Sequence, residues 1–214
     1  MKKLLKNTTL ALLLSLNLWI PTQAQSIRFF AENFWHRGTI YFDEDSFLDG
    51  LIKFDLNTNI VQFRRSEQAT IETYTARKLL YFKYLDSNFG FERSYYALPY
   101  ALNGTYETPI FFELLNQSSP LLLLAREQLQ TEIVTSSFGF MLTPVSTTRT
   151  FISQNYFLMF PSGAIKPATN RKELLDYLQD REVQVQEFLK KNRLYFEARQ
   201  DVINLIEFYN QLRN

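Results

Sequence analysis

Asp55, Asn57 and Asn59 stand at alternate positions in FDLNTNIVQF, residues 54–63. That spacing is how a calcium loop of the helix–loop–helix type presents its first oxygen ligands. Such a loop also needs glycine at its sixth position and a bidentate glutamate at its twelfth. Counted from Asp55, those positions hold Ile60 and Ser66. Alternating apolar and polar residues flank the stretch where helices would be required. It therefore reads as an Asx-rich hairpin turn, in which the Asp and Asn side chains satisfy the turn's own amides. Asp43-Glu44-Asp45 reads as a solvated turn, and the expectation is that the chain holds no metal and no cofactor.

His36 is the single histidine and there is no cysteine, which removes multi-histidine and thiolate zinc sites. A Ser-His-Asp triad would have to use His36, yet no serine stands in a G-x-S-x-G elbow. His36, between Trp35 and Arg37, reads as a surface or edge residue. With six glycines in the chain, no Gly-rich phosphate cradle is present. Paired carboxylates need no motif. Glu92, Glu107 and Glu113 fall on or near predicted strands, where the plainer reading is an ordinary outward-facing residue.

The most distinctive stretch is SYYALPYALNGTYETPIFFE, residues 94–113. Tyr95, Tyr96, Tyr100 and Tyr106 form a candidate aromatic platform for a sugar or peptide, since tyrosine offers an apolar face and a polar tip. The other reading is that alternate tyrosines fill a β core and reach out at its rim. Phe138, Phe140 and Met141 are candidates for a partner or membrane contact, or for buried anchors of a loop.

The elements that must position these residues change character along the chain. Lys2, Lys3 and Lys6 precede an apolar run from Leu10 to Ile20, and Thr22-Gln23-Ala24 follows. This is the pattern of an export leader cleaved after Ala24, with an apolar run too short for a mature anchor. Absence of cysteine rules out a lipoprotein. Loss of the three leader lysines turns a net charge of +1 into about −2, which argues against nucleic acid as a partner. No later stretch is long and apolar enough to span a bilayer.

From about 38 to 167, period-2 alternation recurs between Asn, Asp and Ser clusters, the mark of half-buried antiparallel strands. In FLDGLIKFDL, Leu48, Ile52, Phe54 and Leu56 share one parity. Residues 131–150, rich in Ser and Thr, read as a long loop. After Pro167 the period becomes helical: Asn170 caps with Glu173 three residues on. Leu174, Leu178, Val185, Phe188 and Leu189 line one face, and Val202, Leu205, Ile206 and Tyr209 line that of a last helix. The predicted class is α+β, an antiparallel sheet roll or partly open barrel followed by a C-terminal helical segment. Its divisions are a leader over 1–24, a β-rich domain over 25–168, and helices over 169–214 packed on it.

The order of these segments resembles a family of uncharacterised exported Bacteroidota proteins. The segments are the leader, DSFLDGLIKFDLNTNIVQF, YTARKLLYFKY, LPYALNGTYETPIFFELL, LLLLARE, YFLMFPSGAIKPATNRKELLDYLQD and DVINLIEFYNQ. Phe54 stands where the family pattern has Tyr, and 131–150 is an insertion. The resemblance supplies no catalytic residues and implies the envelope of a diderm bacterium. The functional expectation is a non-enzymatic cell-envelope protein, periplasmic or surface-associated, that binds a protein or glycan partner. The alternatives are a carboxylate-based hydrolase of glycosidase type and a carrier of a small apolar ligand.

Overall fold

Alternation becomes strand wherever one parity can be buried. The computed structural model describes residues 34–213 except 88, 103 and 137–144. The predicted leader and the residues Phe138, Phe140 and Met141 lie outside the described residues. The strands are β1 (His36–Tyr41), β2 (Phe47–Asp55), β3 (Ile60–Arg64), β4 (Glu72–Thr75), β5 (Tyr81–Asp86), β6 (Phe91–Tyr100), β7 (Thr108–Leu114), β8 (Leu122–Ser136), β9 (Val145–Met159) and β10 (Ile165–Pro167). They form one open sheet in the order β10-β9-β8-β7-β6-β5-β1-β2-β3-β4. Every pairing is antiparallel. Together with the helices this makes an α+β, β-rich fold.

Residues 131–136 and 145–150 correct the expected long loop. They are the far ends of β8 and β9, paired in unbroken register from Leu122↔Met159 to Ser136↔Val145. Ile133, Val134, Thr147, Thr148 and Thr150 are β-branched, and such side chains suit an extended backbone even without a buried face. The absence of apolar alternation hid them.

The turn at 55–59 is what its composition indicates. Asp55 Oδ1 accepts the N–H groups of Asn57 (2.9 Å) and Thr58 (3.0 Å). Burial would raise the Asp55 pKa, but the amide bonds from Thr58 and Asn57 outweigh it and hold the carboxylate below its usual value. Asn59 sits in the left-handed region at φ 57°, which asparagine tolerates better than most residues. Its Oδ1 also accepts the N–H of Phe111, on β7, at 3.3 Å. In the sheet order β1, β5 and β6 separate β2 from β7. In a flat sheet that is about 19 Å at the usual strand spacing. The contact therefore requires the sheet to curl until the β2–β3 turn touches β7.

Gly38 and Gly50 face each other across β1 and β2, and both positions are too close-packed for a side chain. A Cβ on Gly38 would stand 2.3 Å from the Lys83 carbonyl oxygen, and one on Gly50 2.5 Å from that of Arg64. Glycine in a strand marks such close approach.

The inner face of the curl carries two apolar clusters. One joins Ile40, Ile52, Phe54, Val61, Phe63, Phe82, Tyr84, Tyr95 and Phe111. In the other, Leu121, Leu123, Ala125, Tyr156 and Leu158 pack against three helices. These are α1 (Arg171–Asp176), α2 (Glu182–Asn192) and α3 (Arg199–Gln211), with a 3₁₀ turn at Gln179–Arg181 between the first two. Asn170 caps α1 by accepting the Glu173 N–H at 3.0 Å. The Glu173 carboxylate returns to Thr169 N–H and Oγ1, one residue earlier than in the standard box. Leu174, Leu178, Val185 and Leu189, then Val202, Leu205, Ile206 and Tyr209, are buried as their spacing indicates. Phe188 stacks on Phe208 at 4.0 Å, joining α2 to α3.

Candidate functional site

Strand register aligns aromatic residues on the outer face of the sheet. Phe47 is opposite Tyr41, Tyr41 opposite Tyr81, Tyr81 opposite Tyr96, and Tyr96 opposite the buried Phe112. The row thus crosses β2, β1, β5, β6 and β7. Ring centroids are 5.6 Å apart for Phe47–Tyr41, 4.0 Å for Tyr41–Tyr81 and 5.0 Å for Tyr81–Tyr96. The last two pairs are nearly parallel, at 11° and 15°. Such cross-strand stacks add roughly 0.5–1.5 kcal/mol each beyond area burial. Phe47, at the open end, is 53% exposed. Burial, and then the neighbouring Tyr41, push the Tyr81 phenol up to about 12, so it remains a protonated donor at neutral pH.

Beside this row lies a groove of about 610 Å³, lined by Arg37, Thr39, Asp49, Arg65, Ser66 and Glu67. It sits one step along β1 and β2: Thr39 faces Asp49 where Tyr41 faces Phe47, and Thr39 Oγ1 donates to Asp49 Oδ1 at 2.6 Å. Arg64, the residue before the lining Arg65, donates to the Glu67 carbonyl at 2.8 Å and lies over the Trp35 ring at 4.3 Å. Both signs of charge and a hydroxyl therefore stand beside an aromatic strip.

The inner face holds a different arrangement. Arg93 on β6 meets Glu113 on β7 through Nε (2.9 Å) and Nη2 (2.6 Å), and Glu127 on β8 through Nη2 (2.7 Å). Arg199, in the first turn of α3, forks onto the same Glu113 carboxylate, with Nη1 at 2.9 Å from Oε2 and Nη2 on Oε1. Asp86 lies 3.7 Å from Arg93 Nη1. The cluster forms the seam between the two apolar clusters. Burial alone would raise the Glu113 pKa, but Arg93 and Arg199 outweigh it and hold the carboxyl below its usual range. Both Glu113 oxygens are filled by guanidinium donors, so it has neither a proton to give nor an open lone pair with which to act as a base. The cluster is a clamp joining helix to sheet.

The four candidate tyrosines are not brought together. Tyr95 is buried on the inner face, stacked on Phe82 at 4.9 Å and beneath Arg93. Tyr96 belongs to the outer row. Tyr100 shares its face but packs edge-on against Phe112 and Phe157. Tyr106 is exposed in the β6–β7 connection. Of the candidate carboxylates, Glu113 is in the clamp, Glu92 forms an exposed pair with Lys83 at 3.6 Å, and Glu107 is exposed in the connection before β7. His36 corrects the surface reading: it is buried on a strand flanked by β2 and β5, stacked on Tyr84 at 4.8 Å. Inside the curl, Phe54 packs ring to ring with Phe82, Tyr95 and Phe111.

Arg93, Glu127 and Arg199, and the row partners Tyr41, Phe47 and Tyr81, were not singled out from the sequence. A signal exists for the clamp. Arg93 shares parity with core Tyr95, Glu113 with Phe111, and Glu127 with Ala125; opposite charges on core parity mark a buried pair. The outer row requires knowledge of register, which alternation alone does not supply. No known family profile, curated protein or solved structure matches this chain.

Proposed function

We propose that this chain is a non-enzymatic cell-envelope protein, exported and periplasmic or surface-associated, that binds a protein or glycan partner on the outer face of its sheet. The observation that carries this reading is the register-aligned row Phe47–Tyr41–Tyr81–Tyr96 beside the groove of Arg37, Thr39, Asp49 and Glu67. An apolar strip flanked by paired donors and acceptors suits a ligand with one apolar and one hydroxylated or amide-bearing edge. The saturated Glu113 supports a binding role over carboxylate chemistry, and the ring-packed interior supports it over a carrier role. Export rests on the leader pattern over 1–24. No helix among the described residues is long and apolar enough to cross a membrane.

Two experiments test the reading. Intact-mass analysis of the protein from the envelope fraction is expected to show a chain beginning at Gln25. A glycan array and an immobilised envelope-protein panel are then probed with the mature chain and with the triple variant Tyr41→Ser, Tyr81→Ser, Tyr96→Ser. Retention by a discrete set of probes, reduced at least about tenfold in the variant (1.4 kcal/mol), supports the reading. Equal retention by both chains, or catalytic turnover of a retained glycan, refutes it.

A further inference from the structure

The β8–β9 ribbon outruns the sheet that supports it. β7 pairs with β8 only at Glu113↔Ala125 and Leu114↔Leu124, and β10 pairs with β9 only from Phe157 to Met159. Beyond these points no strand among the described residues flanks either edge. Residues 130–135 and 146–149 are exposed on both faces, an arm of about 20 Å at the usual rise per residue.

The direction of the free backbone groups follows from the register. Tyr156 C=O accepts the Ala168 N–H on the outer side of β9, and the β8–β9 register has no bulge. Outward groups alternate along a strand, so Ser146, Thr148, Thr150, Ile152 and Gln154 turn N–H and C=O away from β8. From Val145 to Asn155 this edge has no Pro, Gly or Lys, and its single charge is Arg149, paired with Glu132 at 3.6 Å. Exposed edges are normally blunted by such residues. The β8 edge differs, because its Glu127 is drawn into the inner clamp.

We propose that β9 is a dimerisation edge, pairing antiparallel with β9 of a second copy about a two-fold axis at Thr150. Residues facing each other then share parity, as edge-to-edge hydrogen bonding requires. Thr148 lies opposite the second copy's Ile152, and the only charge, Arg149, lies opposite the second copy's Phe151, a favourable guanidinium–ring pairing. No like charges are placed directly opposite. An isolated two-stranded ribbon is marginal in water; pairing turns two arms into the sheet β8-β9-β9-β8 and satisfies the outward backbone groups of both β9 edges. The two-fold arrangement closes on itself, while β9-to-β8 pairing would propagate into a filament. A contact of one strand edge lies below the roughly 1,200 Å² of stable complexes, so the dimer exchanges with monomer.

The chain's lack of cysteine makes the test direct. Residues opposed across an antiparallel pair have Cα atoms about 5.5 Å apart, within the disulfide range of about 4.4–6.8 Å. Thr150→Cys is expected to form a covalent dimer on mild oxidation, while Ile133→Cys, on the β8 edge, stays monomeric. Thr148→Pro removes an outward N–H without breaking a β8–β9 bond. It is expected to abolish the concentration-dependent dimer in sedimentation equilibrium while retaining the circular dichroism spectrum. Failure of Thr150→Cys to cross-link, equal cross-linking by Ile133→Cys, or a dimer that survives Thr148→Pro would overturn the proposal.

Discussion

Replacing Glu113 by Gln keeps the shape of the side chain and removes the charge on which two arginines converge. In the native fold its carboxylate accepts Arg93 Nε and Nη2 and both terminal nitrogens of Arg199, and it is 2% exposed. The amide retains one acceptor and turns an NH2 group toward guanidinium donors. Arg93 is left with Glu127 and Asp86, and Arg199 with Glu127 at 3.7 Å. Breaking a buried pair from one side costs about 3–5 kcal/mol. That is a large fraction of the roughly 5–15 kcal/mol that stabilises a typical domain, and it lowers Tm by about 10 °C for a chain of this size. Urea unfolding measures the loss. A double-mutant cycle with Arg199→Met separates the clamp from general damage: the second substitution should cost less in the Glu113→Gln background, by roughly 1–3 kcal/mol. Acid adds a check with a definite sign. The folded-state pKa of Glu113 is depressed, so its contribution is complete above the unfolded value near 4.3 and is lost as pH falls through the folded value. Wild type should weaken over that interval and Glu113→Gln should lack this component. A change below about 0.5 kcal/mol, or strictly additive substitutions, would refute the clamp.

Other outcomes follow from local geometry. Asn210→Leu should cost about 2 kcal/mol by urea unfolding, because it leaves the buried Leu121 N–H without its acceptor and such groups cost roughly 1–3 kcal/mol each, while Asn116 Nδ2 still reaches the Ser118 and Leu121 carbonyls. Asn210 Oδ1 accepts the Leu121 N–H at 3.0 Å, and its Nδ2 donates to the Ser118 and Leu121 carbonyls at 2.8 Å. Asn59→Ala should cost about 2 kcal/mol from the left-handed backbone and the lost bond to Phe111; millimolar calcium should shift neither its melting temperature nor that of wild type. Alkaline difference spectroscopy should show a late-ionising tyrosine group that includes Tyr74, Tyr81 and Tyr84, each pushed up to about 12. Since unfolded tyrosine ionises near 10, their contribution is full below pH 10 and is lost as pH rises toward 12; Tyr81→Phe should remove part of that decline.

Several features were legible because one residue type did one physical task. Alternation in FLDGLIKFDL placed Ile52, Phe54 and Leu56 inside, and Asn170 with Glu173 marked the start of the helices. The turn at Asp55–Asn59 followed from what Asx side chains do for backbone amides. What stayed hidden depends on register. Nothing in SYYALPY alone places Tyr96 beside Tyr81, since that contact exists only once β5 and β6 are paired at Phe82↔Tyr95. Residues 131–135 and 146–149 stayed hidden for the opposite reason: both faces of the ribbon meet water there, so strand formation left no apolar period to read. His36 misled because its polar type says surface, while its strand lies between two others.

The most direct measurement uses Trp35. The chain has two tryptophans, and the proposed cleavage after Ala24 would remove Trp19, leaving Trp35, which lies under Arg64 next to the groove-lining Arg65, as the sole emitter. Trp35 fluorescence is followed while the mature chain is titrated with the glycans and peptides retained on the arrays. Binding on the outer face predicts a saturable change in emission, weakened at least about tenfold by Tyr41→Ser, Tyr81→Ser, Tyr96→Ser. Retained probes that leave Trp35 emission unchanged, or that bind the triple variant equally well, would contradict it.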